Sequence, residues 1–160
     1  MNEVLTISQV KQKMEYFCSY QERCHSEVNS KLFSYKLQEP ERNEVIVHLI
    51  ENDFLNETRF AQAFARGKQR IKSWGRIRIV NELKFRKISQ YNINTALKEI
   101  TPDEYLETFH KLAENHWETM RETNMIKKRK KFCDFLLRKG FESNLVYEKM
   151  KELESSINSD

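Results

Sequence analysis

The sequence has little glycine, proline or cysteine for its length. Its 160 residues include three glycines, two prolines and three cysteines. Sheets of many short strands need frequent tight turns, so this scarcity disfavours β-sandwiches and barrels and favours long helices. An odd number of cysteines argues against a disulfide framework and for a reducing compartment. We therefore expect an all-α protein whose thiols are free.

Long apolar runs are also missing. No stretch approaches the roughly 20 apolar residues that a membrane-spanning helix needs. The first residues, MNEVLTISQV, do not have the charged and apolar regions of a secretory signal. We expect a cytoplasmic protein with no membrane partner.

Patterns typical of catalysis and metal binding are scarce. There is no glycine-rich phosphate loop, so the chain is not expected to hydrolyse nucleotides itself. Cys18, Cys24 and His25 are close in sequence, but their spacing is not that of a zinc site and Cys133 is distant. We predict no catalytic residue, no metal site and no cofactor, and hence a protein that is not an enzyme.

Positive charge is concentrated in two stretches, although the whole chain has a formal charge of only +4. Residues 66–87 contain nine Lys or Arg against Glu82, and residues 121–139 contain eight against Glu122 and Asp134. The rest of the chain is therefore acidic overall. This segregation predicts a polyanionic or acidic partner. The alternative is a merely solvated helix surface, but such surfaces usually mix both signs.

Residues 54–83 form the most informative segment. Apolar positions at helical spacing predict its buried stripe, which is Phe60, Phe64, Gly67 and Ile71. A second stripe is cationic and consists of Arg59, Arg66 and Arg70. Asn56 is the predicted N-cap, and Gly75 is expected to supply the conformationally permissive backbone of a turn into the next helix. Gly67 is expected to allow a close helix approach.

Helical periodicity predicts nine helices, and their apolar positions repeat. Five positions recur 53 residues further on: Leu83, Ile88, Ile93, Leu97 and Ile100 match Leu136, Phe141, Val146, Met150 and Leu153. Leu32, Leu37, Val45 and Leu49 follow the same order. We predict three tandem three-helix repeats over residues 1–53, 54–101 and 102–160, with cores shared between neighbours.

The central segment resembles a known family. FLNETRFAQAFARGK followed by WGRIRIVNEL is similar to the signature of RecX regulatory proteins, bacterial modulators of the recombinase RecA. The matching positions are Leu55, Phe60, Ala61, Gly75, Glu82 and Leu83, and the family's RRGF element resembles Arg138, Lys139, Gly140 and Phe141. An upstream element resembles Arg23, Ser26 and Asn29. Where the family has an acidic pair after the leucine, this chain has Asn56 and Glu57. The resemblance covers about residues 10–153.

The resemblance implies an elongated, curved rod that binds a RecA filament on DNA and inhibits ATP hydrolysis and strand exchange. The implied partners are the RecA filament and single- or double-stranded DNA, and we expect a monomer. The resemblance leaves open whether the basic surface contacts DNA or RecA. The rival hypothesis is a helical-repeat module that binds nucleic acid directly, without a recombinase.

The residues predicted to bind RecA or DNA lie in the two basic stretches and beside them. They are Arg59, Arg66, Lys68, Arg70, Lys72, Trp74, Arg76, Arg78, Lys127, Lys128, Arg129, Lys130, Lys131 and Arg138. Arginine offers bidentate contacts to carboxylate or phosphate, whereas lysine mostly adds point charge. Trp74 either stacks on a base or a partner side chain or fills the junction between two repeats, and the packing role is preferred. Tyr91 and Tyr105 are expected to pack at repeat boundaries.

Overall fold

The computed structural model describes residues 4–158, which contain nine α-helices and no strand. In chain order the helices are α1 (Ile7–Tyr20), α2 (His25–Phe33), α3 (Glu39–Glu51), α4 (Glu57–Arg70), α5 (Arg76–Phe85), α6 (Gln90–Leu97), α7 (Pro102–Thr119), α8 (Met125–Lys139) and α9 (Ser143–Asn158). None of these helices has the length and apolarity needed to cross a bilayer.

The helices pack in three consecutive groups of three, which we call the first repeat (α1–α3), the second repeat (α4–α6) and the third repeat (α7–α9). In the first repeat α3 packs on α1 and α2, and in each later repeat all three helices contact one another. The predicted all-α class and tandem three-helix architecture are confirmed. The proposed domain limits remain predictions, and both fall between helices of different repeats.

A shared backbone feature marks the end of the second helix in every repeat. Lys36, Lys87 and Gly140 have φ values of 57°, 61° and 98°, in the left-handed region that commonly ends a helix. Each lies four residues after a buried leucine, which is Leu32, Leu83 or Leu136. The internal repeat seen in the apolar pattern is therefore also a repeat of backbone geometry.

The buried side chains form two clusters. One cluster runs through the second and third repeats and includes Phe60, Leu83, Tyr105, Phe132 and Phe141. The other belongs to the first repeat and consists of Val10, Met14, Cys18, Val28, Leu32, Leu37, Val45, Leu49 and Leu55. The expectation that neighbours share a core is correct for the second and third repeats. For the first repeat it is correct only in part, because Cys24 joins that shared cluster whereas the other described buried apolar residues of α1–α3 form a cluster of their own.

The second and third repeats meet where two glycines touch. The Gly75 amide donates to the Lys139 carbonyl at 2.7 Å, and the Ile77 amide donates to the Gly140 carbonyl at 3.0 Å. Gly75 has ordinary extended backbone (φ −77°, ψ 167°), which any residue can adopt, so the predicted need for a permissive backbone is wrong. Glycine is required there because a Cβ on residue 75 would overlap backbone atoms of Gly140.

The buried face of α4 is rotated from the predicted one. Ala61, Ala65 and Gln69 are buried beside Phe60, whereas Ile71 is 80% exposed. Small side chains on this face let α6 pack closely along α4. No heavy atom lies within 4 Å of a Cβ built on Gly67, so its predicted role in close approach is also wrong. Tyr105 is fully buried as expected, but Tyr91 is 76% exposed and does not pack at a boundary.

The three glycines give a matched test of the junction. Gly75→Ala should lower the free energy of unfolding by about 1–3 kcal/mol or more, because the new methyl group must displace backbone. Gly140→Ala should also destabilise, since its left-handed φ and its contact with Arg78 both exclude a Cβ. Gly67→Ala, in open space on a helix, should stabilise by about 0.5–1 kcal/mol.

Urea unfolding followed by circular dichroism measures all three variants. Equal stability of Gly75→Ala and the wild-type chain would contradict the close packing of the two glycines.

Candidate partner-binding surface

The predicted cationic stripe on α4 is engaged in ion pairs within the chain. Arg59 Nε lies 2.5 Å from Glu22 Oε1, and its Nη1 lies 3.0 Å from Asp53 Oδ2. Arg66 Nη1 is 3.3 Å from Glu99 Oε2, and the guanidinium of Arg70 is 2.7 Å from a Glu104 oxygen. These arginines thus neutralise carboxylates of the chain itself. Their part in partner binding stays a prediction.

Arg76 and Tyr105 join the second repeat to the third. The Arg76 guanidinium lies 3.8 Å from the centre of the Tyr105 ring and 3.6 Å from Glu142 Oε2. The Tyr105 hydroxyl accepts from the Arg76 amide at 3.0 Å and donates to Glu142 at 2.5 Å. Burial and the bond to Glu142 raise the pKa of Tyr105. The phenol is therefore a neutral donor that fixes the junction.

Two buried polar residues at helix contacts were missed by the sequence patterns. The Gln69 amide accepts from the Thr108 hydroxyl at 3.2 Å, which links α4 to α7. Lys149 is 3% exposed, and its Nζ lies 2.8 Å from Glu114 and 3.3 Å from Glu152. Both residues occupy helical positions in line with apolar neighbours, and this spacing was the one sequence signal that they are buried. Polar side chains at such positions need buried partners that a sequence does not display.

A different set of cations has no carboxylate within 4 Å in the part of the chain that the structure describes. We call Lys68, Lys72, Arg78 and Lys139 the corner cluster, because they lie at the turn from α4 into α5, which contains Trp74. Arg78 and Lys68 lie over the indole ring at 4.0 and 4.9 Å from its centre. Lys139 Nζ donates to the Lys72 carbonyl at 3.0 Å. The Gly75–Gly140 contact brings this third-repeat lysine to the corner.

Lys139 is repelled by two other charges of the corner cluster. Burial lowers the pKa of Lys139, and the nearby charges of Arg78 and Lys72 lower it further. Such a group of cations is a site where an anion stabilises the protein by relieving repulsion. Lys139 was absent from the predicted set, although its neighbour Arg138 was included. Its place beside the helix-ending Gly140 was the available signal.

Trp74 packs inside this corner. Its ring meets that of Phe64 edge-on at a centroid distance of 6.2 Å. The charged groups of Lys68 and Arg78 lie over the same indole ring. These partners all belong to the second repeat, so the preferred expectation, that Trp74 fills the junction between two repeats, stays a prediction. A stacking role for the ring stays a prediction.

The second basic stretch is largely compensated. Arg129 makes a bidentate pair with Glu154 at 2.6 and 3.0 Å. Lys130 is 2.8 Å from Asp134, and Lys131 is 2.7 Å from Glu122. Lys128 lies over the ring of Trp117 at 4.1 Å. Lys127 is exposed on the first turn of α8, and the exposed Arg138 side chain donates to the Asp134 carbonyl.

Thiols and imidazoles do not gather into a reactive site. Cys18, Cys24 and Cys133 are buried and unpaired. Burial raises the pKa of the Cys18 thiol to about 11, so it is protonated at neutral pH. His116 stacks on Phe135 at 3.8 Å, and burial lowers its pKa. Within residues 4–158 no three His, Cys, Asp or Glu side chains are grouped so as to hold a metal ion.

These features define an all-α protein of tandem three-helix repeats with a cationic corner between two of them. Comparison with known families then identifies the family. The family model for the second three-helix domain of RecX matches residues 56–97, and that for the third three-helix domain matches residues 103–150. The chain belongs to the RecX family of regulatory proteins.

Similar individual proteins and crystal structures support the same family assignment. The regulatory protein RecX of Leuconostoc mesenteroides is 26% identical over 130 residues, which are 81% of this chain and 49% of that protein. The crystal structure of RecX from Lactobacillus salivarius is similar with a TM-score of 0.77 and 27% identity, covering 92% of this chain and 96% of the other. A further crystal structure of a regulatory protein RecX has a TM-score of 0.80 and 25% identity, covering 91% and 73%. The chain spans about half the length of the curated relatives that it matches first.

Three ion pairs between residues of different segments predict a loss of stability in acid. The bond from Arg70 holds the pKa of Glu104 below its usual value of 4.5, and Lys149 and Lys131 do the same for Glu114 and Glu122. A depressed carboxyl pKa stabilises the folded state above the unfolded pKa, and this stabilisation is lost as the pH falls through the folded value. The free energy of unfolding should therefore decrease below about pH 4.5.

Urea titrations at successive pH values test this for one pair. Glu104→Gln should make the decrease shallower, because the Arg70 pair no longer titrates. Glu107→Gln is the control, because Glu107 is an exposed residue of α7 three positions after Glu104. This variant should keep the wild-type dependence of stability on pH. The same acid slope in both variants would contradict a stabilising role for the Arg70–Glu104 pair.

Proposed function

We propose that this chain binds RecA filaments assembled on DNA and inhibits or modulates the ATPase and strand-exchange activities of the recombinase. It acts by binding alone, as a monomer in the bacterial cytoplasm. The observation that carries the proposal is the corner cluster in a chain of the RecX family. Its four cations, Lys68, Lys72, Arg78 and Lys139, have no carboxylate at ion-pairing distance in the described residues.

The chemistry of the corner cluster fits an anionic partner surface. Most of the predicted arginines form ion pairs with carboxylates of the chain itself, so less of their charge is available to a partner. The corner cations have no such carboxylate among the described residues, and Lys139 is repelled by Arg78 and Lys72 until an anion approaches. Carboxylates on a recombinase surface and phosphates of filament DNA both supply that anion, and each neutralised phosphate also releases a counterion.

The rigidity of the corner supports a binding role. Two sets of contacts hold Lys72 and Lys139, from different repeats, side by side. They are the two backbone hydrogen bonds at the Gly75–Gly140 contact and the Arg76–Tyr105–Glu142 contacts. A preformed group of cations loses little conformational entropy on binding. We place the main contact with the filament at this corner and a secondary one on the exposed cations of α8.

RecA ATPase on single-stranded DNA tests the proposal. The wild-type chain should inhibit ATP hydrolysis at molar ratios well below one per recombinase. The double variant Lys68→Glu, Lys72→Glu should require at least tenfold more protein for the same inhibition, because two corner charges are reversed. These lysines are better targets than Arg66 or Arg70, whose reversal would also break ion pairs of the fold.

The double variant Lys111→Glu, Lys151→Glu is the matched control, since it makes the same charge change on exposed residues of α7 and α9 outside the corner. It should inhibit like the wild-type chain. Undiminished inhibition by the double variant would overturn the role of the corner cluster. Inhibition that occurs only when the protein saturates the DNA would favour a nucleic-acid module without a recombinase partner.

A further inference from the structure

The first repeat has an open cleft that the corner cluster does not include. The cleft lies between α1 and α2 and has a volume of about 840 Å³. Aromatic and cationic side chains dominate its lining, and we call it the aromatic cleft: Lys13, Tyr16, Phe17, Tyr20, Lys31 and Tyr35. None of its lining side chains is a carboxylate.

Two tyrosines of the aromatic cleft present their rings to solvent. Tyr16 and Tyr20 are each 73% exposed. They are four residues apart on α1, so they lie on one side of the helix about 6 Å apart along its axis. The face of Phe17, by contrast, is already covered by the guanidinium of Arg23 at 3.8 Å. The tyrosines are therefore the flat surfaces that a ligand can reach.

The acidic residues of this region are directed to other contacts. Glu15 Oε1 lies 2.7 Å from His48 Nε2 on α3, and Glu22 is bonded to Arg59 on α4. Glu27 pairs with Arg23 at 3.6 Å. Lys13 and Lys31, in contrast, have no carboxylate within 4 Å among residues 4–158. The cleft therefore combines uncompensated positive charge with exposed aromatic rings.

We propose that the aromatic cleft binds single-stranded nucleic acid, with bases stacked on Tyr16 and Tyr20 and phosphates beside Lys13 and Lys31. Sites that bind single strands without sequence preference combine these two elements, because every base has a flat face and every nucleotide a negative charge. An acidic peptide would use the lysines but would leave the two exposed rings without flat partners. The inference goes beyond the proposed function, since it needs neither the recombinase nor the corner cluster.

Fluorescence anisotropy with a labelled oligothymidylate of about 12 nucleotides, a length in the range bound by single-strand modules, tests the site in the absence of RecA. Tyr16→Ala and Tyr20→Ala should each weaken binding about tenfold, which is the usual effect of losing one stacked base. Tyr91→Ala, an equally exposed tyrosine on the second repeat, is the matched control and should bind like the wild-type chain.

An abasic oligonucleotide of the same length separates stacking from charge. It should bind the wild-type chain more weakly than oligothymidylate does, and the tyrosine variants should not discriminate between the two. Tyr16→Phe keeps the ring and should retain wild-type affinity, which guards against a misfolded alanine variant. Photo-crosslinking of a 5-iodouracil oligonucleotide to the wild-type chain should label Tyr16 or Tyr20.

Equal affinity of Tyr16→Ala, Tyr20→Ala and the wild-type chain would overturn the inference. Absence of saturable binding by the wild-type chain at low ionic strength would overturn it as well, and would leave a peptide as the better occupant. The outcome is separate from that of the filament proposal. The corner variant Lys68→Glu, Lys72→Glu keeps the aromatic cleft intact, and the tyrosine variants keep the corner cluster.

Discussion

The arrangement of the second and third repeats depends on the contact between Gly75 and Gly140. Two backbone hydrogen bonds cross this contact, and they are possible only because neither residue carries a side chain. The contact sets the position of α5 against the end of α8. It therefore decides that Lys139 lies beside Lys72 and that Tyr105 reaches both the Arg76 amide and Glu142. A steric requirement at two positions thus determines the electrostatics of the whole corner.

Charge in this protein serves two separate purposes. Arginines on α4 and α5 bond to carboxylates elsewhere in the chain, and the pairs with Glu22, Glu104 and Glu142 tie neighbouring repeats together. Exposed pairs of this kind contribute little individually, and they chiefly fix geometry. Within residues 4–158, the corner lysines and the lysines of the aromatic cleft have no carboxylate partner at ion-pairing distance. A count of basic residues does not separate the two groups, whereas the position of the nearest carboxylate does.

Local sequence signals predicted most of the fold and little of the surface. Helical periodicity, the Asn56 cap and the offset of 53 residues all depend on neighbours close in sequence or on repetition. The Arg70–Glu104 pair joins residues 34 apart, and the Lys139–Lys72 contact joins residues 67 apart. Such contacts depend on how each helix is rotated against the next, which no single helix encodes. For the same reason the apolar pattern did not predict that Ile71 is exposed.

The separation of the apolar residues into two clusters has a consequence for folding cooperativity. The first repeat buries its own cluster, and its attachment to the second repeat depends on Cys24 and on polar contacts such as Arg59–Glu22 and His25–Glu57. Polar contacts couple the unfolding of adjacent repeats less strongly than a continuous apolar core does. Amide protons of α1–α3 should therefore exchange through an opening of their own, while those of α4–α9 exchange together. The aromatic cleft and the corner cluster thus belong to different cooperative units of one chain.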